Sequence, residues 1–183
     1  MEQFEHLEET QLSSEAKYDG TLLHIRRDTV RLPNGQTATR EYNIHNGAVC
    51  IIPLLENGEV LLERQYRYPL REVITEIAAG KLDAPDEDPL EAAQGEETGA
   101  TAAEWHALGL FCPVGAYSTE RIQMYLARGL TFGERELDED EFLNVFRMPL
   151  DELVNKVLAG AIPDAKTQAA ALRAKLMLER GLI

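Results

Sequence analysis

The sequence predicts an α+β fold in which mixed or antiparallel strands are covered by a few helices. Two observations predict it. Runs of branched and aromatic residues recur in pairs around short turns, of which Asn57-Gly58 is one. Helical spacing or capping signals appear in only a few segments. A chain of 183 residues fits one main domain with a sizeable core.

Composition and charge narrow the classes of function. Hydrophobic residues make up 44% and charged residues 27%, as in an ordinary globular protein. A net charge of −14 argues against nucleic acid or an anionic membrane as a partner, because both require clustered Lys and Arg. No apolar run reaches membrane-spanning length, and the first residues lack the pattern of a signal peptide, so we expect a cytoplasmic protein.

The amino-terminal half predicts paired strands. Residues 1–18 are polar and are either a frayed start or the lead-in to the first strand. The turns Pro33-Asn34-Gly35 and Asn57-Gly58 each predict a β-hairpin, and the apolar run between them suits a buried strand. The strands predicted in this half are residues 20–32, 37–44, 48–55, 59–68 and 73–77.

The carboxyl-terminal half alternates helices and strands. Asp88-Pro89 with Glu91 predicts a helix start, because an acid at the N-cap, Pro at the first helical position and a glutamate in the capping box coincide. Asp164 is the expected N-cap of the last helix. Strands are predicted at 104–111, 121–130 and 142–148, an acidic loop at 133–141, and helices at 150–159 and 166–179. We expect Cys50 and Cys112 to be buried free thiols.

One stretch, residues 76–100, has the pattern of a cation site. A loop containing Gly80 leads into a short helix that ends in Glu96-Glu97, and Gly99 follows. Carboxylate oxygens suit Mg²⁺ or Mn²⁺. The stretch resembles the Nudix hydrolase signature, Gly-x5-Glu-x7-Arg-Glu-U-x-Glu-Glu-x-Gly-U with U aliphatic, and the chain is most similar to the ADP-ribose pyrophosphatases. The matching residues are Gly80, Glu87, Glu96, Glu97, Gly99 and Ala100.

Two spacings depart from that signature. Gly80 to Glu87 is one residue too long, and Glu87 to Gly99 is three too short, as if Arg-Glu-U were absent between Gln94 and Gly95. The signature glutamate at i−4 from Glu97 is therefore replaced by Ala93, and the arginine before it by Ala92. Glu91 does not substitute, because six residues place it about 120° around the helix from Glu97.

The resemblance implies a Nudix-type α/β/α sandwich and a division of the chain. Residues 1–45 would be an amino-terminal β-hairpin element that joins two subunits, and residues 46–183 the Nudix domain. The implied assembly is a homodimer.

The resemblance also assigns metal and catalytic residues. Glu97, Glu96 and the carbonyl of Ala79 are the implied metal ligands, although an isolated Glu-Glu pair is usually a solvated helix end. In the acidic loop, Glu139 is the preferred general base and Glu141 a ligand of metal or water, with their order left open. Taken alone, such a loop is usually solvated surface or sometimes a calcium site.

The implied substrate contacts lie elsewhere in the chain. Arg67 ends a strand, and its guanidinium suits a phosphate, whereas the alternative is a surface arginine. Glu76 matches a glutamate near the ribose or the metals. The remaining candidates are Gly80, Ser118 and Glu120.

Three functions follow. The leading one is Mg²⁺-dependent hydrolysis of ADP-ribose, or a related nucleoside diphosphate sugar, to AMP (or NMP) and a sugar phosphate. The second is a Nudix-like nucleotide-binding protein with weak or no activity, because the box is incomplete. The third, and weakest, is a structural subunit of a larger complex.

Overall fold

The structure is a computed structural model that describes residues 4–95, 100–132 and 142–183. The chain forms two compact units. The first contains Met1–Asn46 and Val114–Glu120, and the second contains Gly47–Pro113 and Arg121–Ile183. No helix in the described part of the chain has the length and apolar content that a membrane span requires.

The first unit is a three-stranded antiparallel sheet in the order β1-β2-β3. Strand β1 is Thr10–Asp19, β2 is His24–Arg31 and β3 is Thr37–Ile44. The predicted hairpin is thus confirmed as β2 and β3. The assignment of residues 10–18 to a frayed start or lead-in was wrong, because they form a full strand whose residues are all exposed. The alternation of Leu12, Ala16 and Tyr18 with polar residues is interrupted at Ser14, so the sequence pattern for a strand is weak.

The segment Val114–Glu120 completes the first unit. Ser118 forms a parallel bridge with Asn43, and the backbone of Asn43 bonds Tyr117 and Thr119 on either side of it. A second segment, distant in sequence, therefore belongs to this unit.

The second unit contains two sheets. One has the order β7-β4-β9-β8, with β4 parallel to β9 and the other pairs antiparallel; the other is antiparallel in the order β10-β5-β6. The sheets are therefore mixed and antiparallel, as predicted. The bounds are β4 Ala48–Pro53, β5 Glu59–Arg67, β6 Glu72–Glu76, β7 Ala79–Lys81, β8 Ala100–Phe111, β9 Ile122–Phe132 and β10 Leu143–Pro149.

The hairpin predicted at Asn57-Gly58 was only half right. The turn forms, since the Leu55 N–H donates to the Glu59 carbonyl at 2.8 Å. Strands β4 and β5 then separate into different sheets, and only the bridge from Leu54 to Val60 joins them among the described residues. Strand β4 is buried along its whole length and takes β7 and β9 as its neighbours. The sequence of a local turn does not show which distant strands will pair with β4.

The described residues form three α-helices that cover both faces of the sheet containing β4. These are α1 (Pro89–Gly95), α2 (Leu150–Leu158) and α3 (Ala165–Glu179). Cys50 and Ile52 belong to the core cluster that includes residues of α2 and α3. Val49 and Ile51 pack instead with Ala93 of α1. This layering confirms the α/β/α sandwich, because successive residues of a strand face opposite sides.

The two cysteines differ in exposure. Cys50 is buried, and that burial raises the pKa of its thiol to about 12. Cys112 is free but exposed, so the prediction that it is buried was wrong. It follows the last residue of β8, where the chain leaves the sheet at Pro113.

Candidate active site

Gly80 lies in the short strand β7 beside the buried strand β4, so the prediction that a loop contains it was wrong. Ala79 pairs with Cys50 and Gly80 with Val49, both in antiparallel register. Backbone bonds extend this contact at each end, from Leu82 to Gly47 at 3.0 Å and from Ile51 to Ala78 at 3.1 Å. The backbone of β7, which carries the implied metal ligand Ala79 and the implied substrate residue Gly80, is therefore fixed to the core of the second unit.

Glu87 closes the turn before α1. Its carboxylate accepts a hydrogen bond of 2.6 Å from the backbone N–H of Asp83. Asp88 then caps the helix, since its Oδ1 accepts bonds of 2.7 Å from the Leu90 N–H and 3.4 Å from the Glu91 N–H. The predicted helix start is confirmed, and the signature glutamate Glu87 has a structural contact in the loop.

Helix α1 presents an alanine where the Nudix signature has a glutamate. Ala93, at i−4 from Glu97, is buried and packs with Val49, Ile51 and Ala127. Residue 93 therefore supplies core contact and no oxygen donor. Glu96 and Glu97 follow this helix but lie outside the described residues, so their assignment as metal ligands remains a prediction.

The acidic loop that carries Glu139 and Glu141 also lies outside the described residues. Its predicted base and ligand roles remain predictions. Within residues 4–95, 100–132 and 142–183, no group of three or more His, Cys, Asp or Glu side chains is placed to hold a metal ion. The candidate donors that fit a hard divalent cation are therefore the Ala79 carbonyl and the carboxylates predicted from sequence.

Arg67 and Glu76 form a bidentate ion pair on one face of the β10-β5-β6 sheet. Arg67 donates from Nε to Oε1 of Glu76 at 2.8 Å and from Nη2 to Oε2 at 2.7 Å. The Glu76 carboxylate raises the pKa of Arg67, which keeps the guanidinium charged. The Arg67 side chain is 40% exposed and that of Glu76 only 1%. Arg67 is thus held from its buried side with part of its surface accessible.

Glu76 has a second cationic partner that sequence patterns did not reveal. Lys166, in the first turn of α3, forms an ion pair with Oε2 of Glu76 and contacts Asp164 at 3.2 Å. The structure shows Glu76 as an internal anchor, while its predicted contact with ribose or metal remains a prediction. The N-cap signal at Asp164 located the helix start, but no signal identified Lys166.

Cys50 pairs with β7 and lies within the electrostatic influence of this charged cluster. The residue pairs with Ala79 through its backbone, and Lys166 and Asp164 both influence the pKa of its thiol, with burial as the dominant cause. Only Ile77 and Ala78 separate Glu76 from Ala79 in the chain. The second unit therefore contains a partly accessible arginine whose buried partner, Glu76, is separated from the start of β7 by only two residues.

Ser118 and Glu120 belong to the first unit. Ser118 Oγ accepts a bond of 3.1 Å from the Glu120 N–H, and a Glu120 oxygen lies 4.0 Å from Nε2 of His45. Both side chains thus help to shape the segment Val114–Glu120. Their predicted contact with substrate remains a prediction.

Comparison with known families matches nearly the whole chain. The model of the nucleoside diphosphate sugar hydrolase N-terminal domain matches residues 9–43, and that of the NUDIX domain matches residues 44–171. A solved structure described as an ADP compounds hydrolase superposes with a TM-score of 0.82, covering 96% of this chain and 97% of that one at 23% identity. The superposition supports the Nudix fold.

Curated relatives are similar over almost their full length. An ADP-ribose pyrophosphatase of Bacillus subtilis is 34% identical over 90% of this chain and 91% of its own. An ADP-ribose pyrophosphatase of Mycobacterium tuberculosis is 36% identical over 92% and 83%, and a methanol dehydrogenase activator of Bacillus methanolicus is 35% identical over 89% and 90%. Enzymes of this kind generally depend on a divalent metal. This chain belongs to the Nudix hydrolase family.

Proposed function

We infer that this protein hydrolyses the pyrophosphate bond of ADP-ribose or a related nucleoside diphosphate sugar. The products are AMP, or the corresponding NMP, and a sugar phosphate. The inference rests chiefly on similarity to two ADP-ribose pyrophosphatases over about nine-tenths of this chain. The match of residues 9–43 to the amino-terminal domain of nucleoside diphosphate sugar hydrolases points to the same substrate class.

Arg67 is the described residue best suited to bind the substrate diphosphate. Its guanidinium remains charged, is partly exposed and is held by Glu76 through Nε and Nη2. Toward the described residues, Nη1 makes no hydrogen bond or ion pair. A guanidinium fixed on one edge can direct its other edge at phosphate oxygens, and this loses less side-chain entropy on binding than a free arginine.

The proposed reaction also uses residues predicted from sequence. Glu139 would accept the proton of the attacking water, with Glu141 as the alternative base. The Ala79 carbonyl and the carboxylates of Glu96, Glu97 and Glu141 would hold Mg²⁺, or Mn²⁺ in its place. The chemistry that a bound divalent cation supplies is neutralisation of diphosphate charge and orientation of the water. Water adds to one phosphorus and the bridging oxygen leaves on the other. Two protons are released above the second pKa of the phosphate monoester products, which is about 6.

The direct test is AMP release from ADP-ribose in the presence of Mg²⁺. Wild-type protein should release AMP, whereas Glu97→Gln should lose at least about a hundredfold in rate, because a carboxylate ligand is replaced by a neutral amide. Equal rates for wild type and the variant would contradict the proposal. A panel of ADP-ribose, ADP-glucose and GDP-mannose would then identify the preferred sugar and base.

A second candidate is a nucleotide-binding protein with weak or no hydrolysis. The observation that favours it is the buried Ala93, which stands in the place of an oxygen donor of the signature. Inserting Arg-Glu-Leu after Gln94 restores the signature spacing from Glu87 to Gly99 and should raise the rate of AMP release if the incomplete box limits activity. Thermal stabilisation by ADP-ribose without product in the unaltered protein would favour the binding function.

We also propose a cytoplasmic homodimer joined through the amino-terminal element, residues 1–45. Several large apolar side chains in this region are 40% or more exposed, including those of Tyr18, Leu22 and Leu23. Such exposed apolar surface suits a partner subunit. Sedimentation equilibrium should give twice the chain mass of 20.5 kDa, and a monomer at micromolar concentration would contradict this assembly.

A further inference from the structure

Glu76 is a buried carboxylate held between two cations from different elements. Arg67 approaches from β5 with two hydrogen bonds, and Lys166 approaches from α3. The exposed fractions are 1% for the Glu76 side chain and 11% for that of Lys166. A buried carboxylate stays ionised only when opposite charges and hydrogen bonds offset its lost hydration.

The first turn of α3 is fixed to the residue that follows Glu76. The Ile77 N–H donates to Oγ1 of Thr167 at 2.9 Å, and Thr167 in turn donates to Oδ2 of Asp164 at 2.5 Å. Thr167 has no solvent exposure. Lys166 therefore extends from a helix start whose position relative to β6 is set by buried hydrogen bonds.

The ion-pair partner of Arg67 is not the residue directly opposite it in the sheet. Its cross-strand neighbour on β6 is Glu72, whereas Glu76 pairs with Glu63. The guanidinium reaches along the sheet to the buried carboxylate instead of the exposed one directly opposite. An exposed ion pair contributes little, because water screens it and two flexible side chains must be ordered. The buried carboxylate thus determines the direction of Arg67.

We propose that Lys166 is a positioning residue for the substrate site: it fixes the Glu76 carboxylate, which orients the Arg67 guanidinium toward the substrate diphosphate. This inference rests on the proposed function for the contact between Arg67 and substrate. The orientation of Arg67 itself depends only on the described contacts. Lys166 acts through Glu76 and touches no reacting atom.

The kinetic test compares Lys166→Met with two matched variants. Lys166→Met should raise the KM for ADP-ribose about tenfold and change kcat less than twofold, because ground-state binding is weakened. Lys166→Arg keeps the charge and should stay within about twofold of wild type in KM. Lys175→Met is the control, since Lys175 lies on the same helix and pairs with Asp151 and Glu179 away from this cluster. An unchanged KM in Lys166→Met would overturn the proposal.

A double-mutant cycle separates positioning from general loss of structure. In an Arg67→Met background, adding Lys166→Met should change KM less than twofold, because the oriented group is already absent. If the KM of the double variant instead rises by the product of the two single effects, Lys166 acts independently of Arg67 and the proposal is overturned. Because breaking a buried ion pair destabilises a fold, thermal unfolding is measured for each variant. Lys166→Gln, which retains a donor, replaces Lys166→Met if the latter does not fold.

A spectroscopic measurement tests positioning without turnover. In ¹⁵N-labelled wild-type protein, the Arg67 Nε–H should exchange slowly with water, because it is bonded to Glu76. The exchange rate should rise at least about fivefold in Lys166→Met and remain near wild type in Lys175→Met. Unchanged protection overturns the proposal. A third outcome is that Lys166→Met loses this protection while wild-type protein does not bind ADP-ribose. Lys166 then does orient Arg67, and it is the proposed function that fails.

Discussion

Strands β1 and β4 are the same kind of element with opposite surroundings. All residues of β1 are exposed, and all six residues of β4 are buried. Strand β1 is held by backbone pairing and polar contacts, such as Gln11 to Asp28 at 2.7 Å. Strand β4 is held by apolar contact on both faces. The comparison shows that strand geometry does not reveal which force maintains a strand.

The largest expected effect comes from removing apolar contact in β4. Ile52 has no exposed surface, so Ile52→Ala should lower the free energy of unfolding by about 3–4 kcal/mol through lost burial and a residual cavity. Leu12→Ala in β1 is the matched change, and because Leu12 is 43% exposed we expect about 0.5 kcal/mol or less. Urea denaturation measures both. Equal losses of unfolding free energy in Ile52→Ala and Leu12→Ala would contradict the distinction between β4 and β1.

A smaller effect should follow from breaking a buried polar contact in the second unit. Thr167→Val keeps the side-chain shape but leaves the buried Ile77 N–H without its acceptor. We expect a loss of about 2 kcal/mol, since an unsatisfied buried donor costs its lost hydration. Thr39→Val, on the exposed strand β3, should change stability by about 0.5 kcal/mol or less. A loss no greater than that of Thr39→Val would show that water replaces the hydroxyl.

The smallest effect concerns acid sensitivity of the first unit. Side-chain hydrogen bonds lower the pKa of Asp28; the largest effect comes from Ser14, and smaller ones come from Tyr42 and Gln11. A lowered folded-state pKa stabilises the protein above the unfolded value of about 4 and loses that contribution as pH falls through the folded value. Wild-type stability should therefore fall below about pH 4 more steeply than that of Asp28→Asn. Thermal melts of wild type and Asp28→Asn between pH 3 and 6 measure the two slopes, and equal slopes would contradict this prediction.

The elements of the fold that could be predicted are those whose local sequence pattern is typical of a single kind of structure. The run from Ala48 reads as a buried strand, and Asp88-Pro89 and Asp164 mark helix starts that the structure confirms. Strand β1 was missed because its apolar alternation is interrupted at Ser14 and none of its residues is buried. The separation of β4 from β5 was missed because it depends on which distant strands compete for β4.

The site was predictable in part for the same reason. The assignments of Gly80 and Arg67 to the candidate site follow from a resemblance carried by residues close together in sequence, and they remain predictions. The cluster around Glu76 does not, because Lys166 lies 90 residues away. The ion pair between Lys166 and Glu76 can be identified only once the fold places the first turn of α3 next to β6.

By itself, the sequence determined the class of fold, the family and the altered spacing of the box. These properties follow from local patterns of apolar residues, caps and glycines, which act over a few residues. Only the tertiary structure decided that Ala93 belongs to the core and that Glu76 binds both Arg67 and Lys166. The physical reason is burial, because a charge in the interior must find an opposite charge wherever the fold brings one within reach.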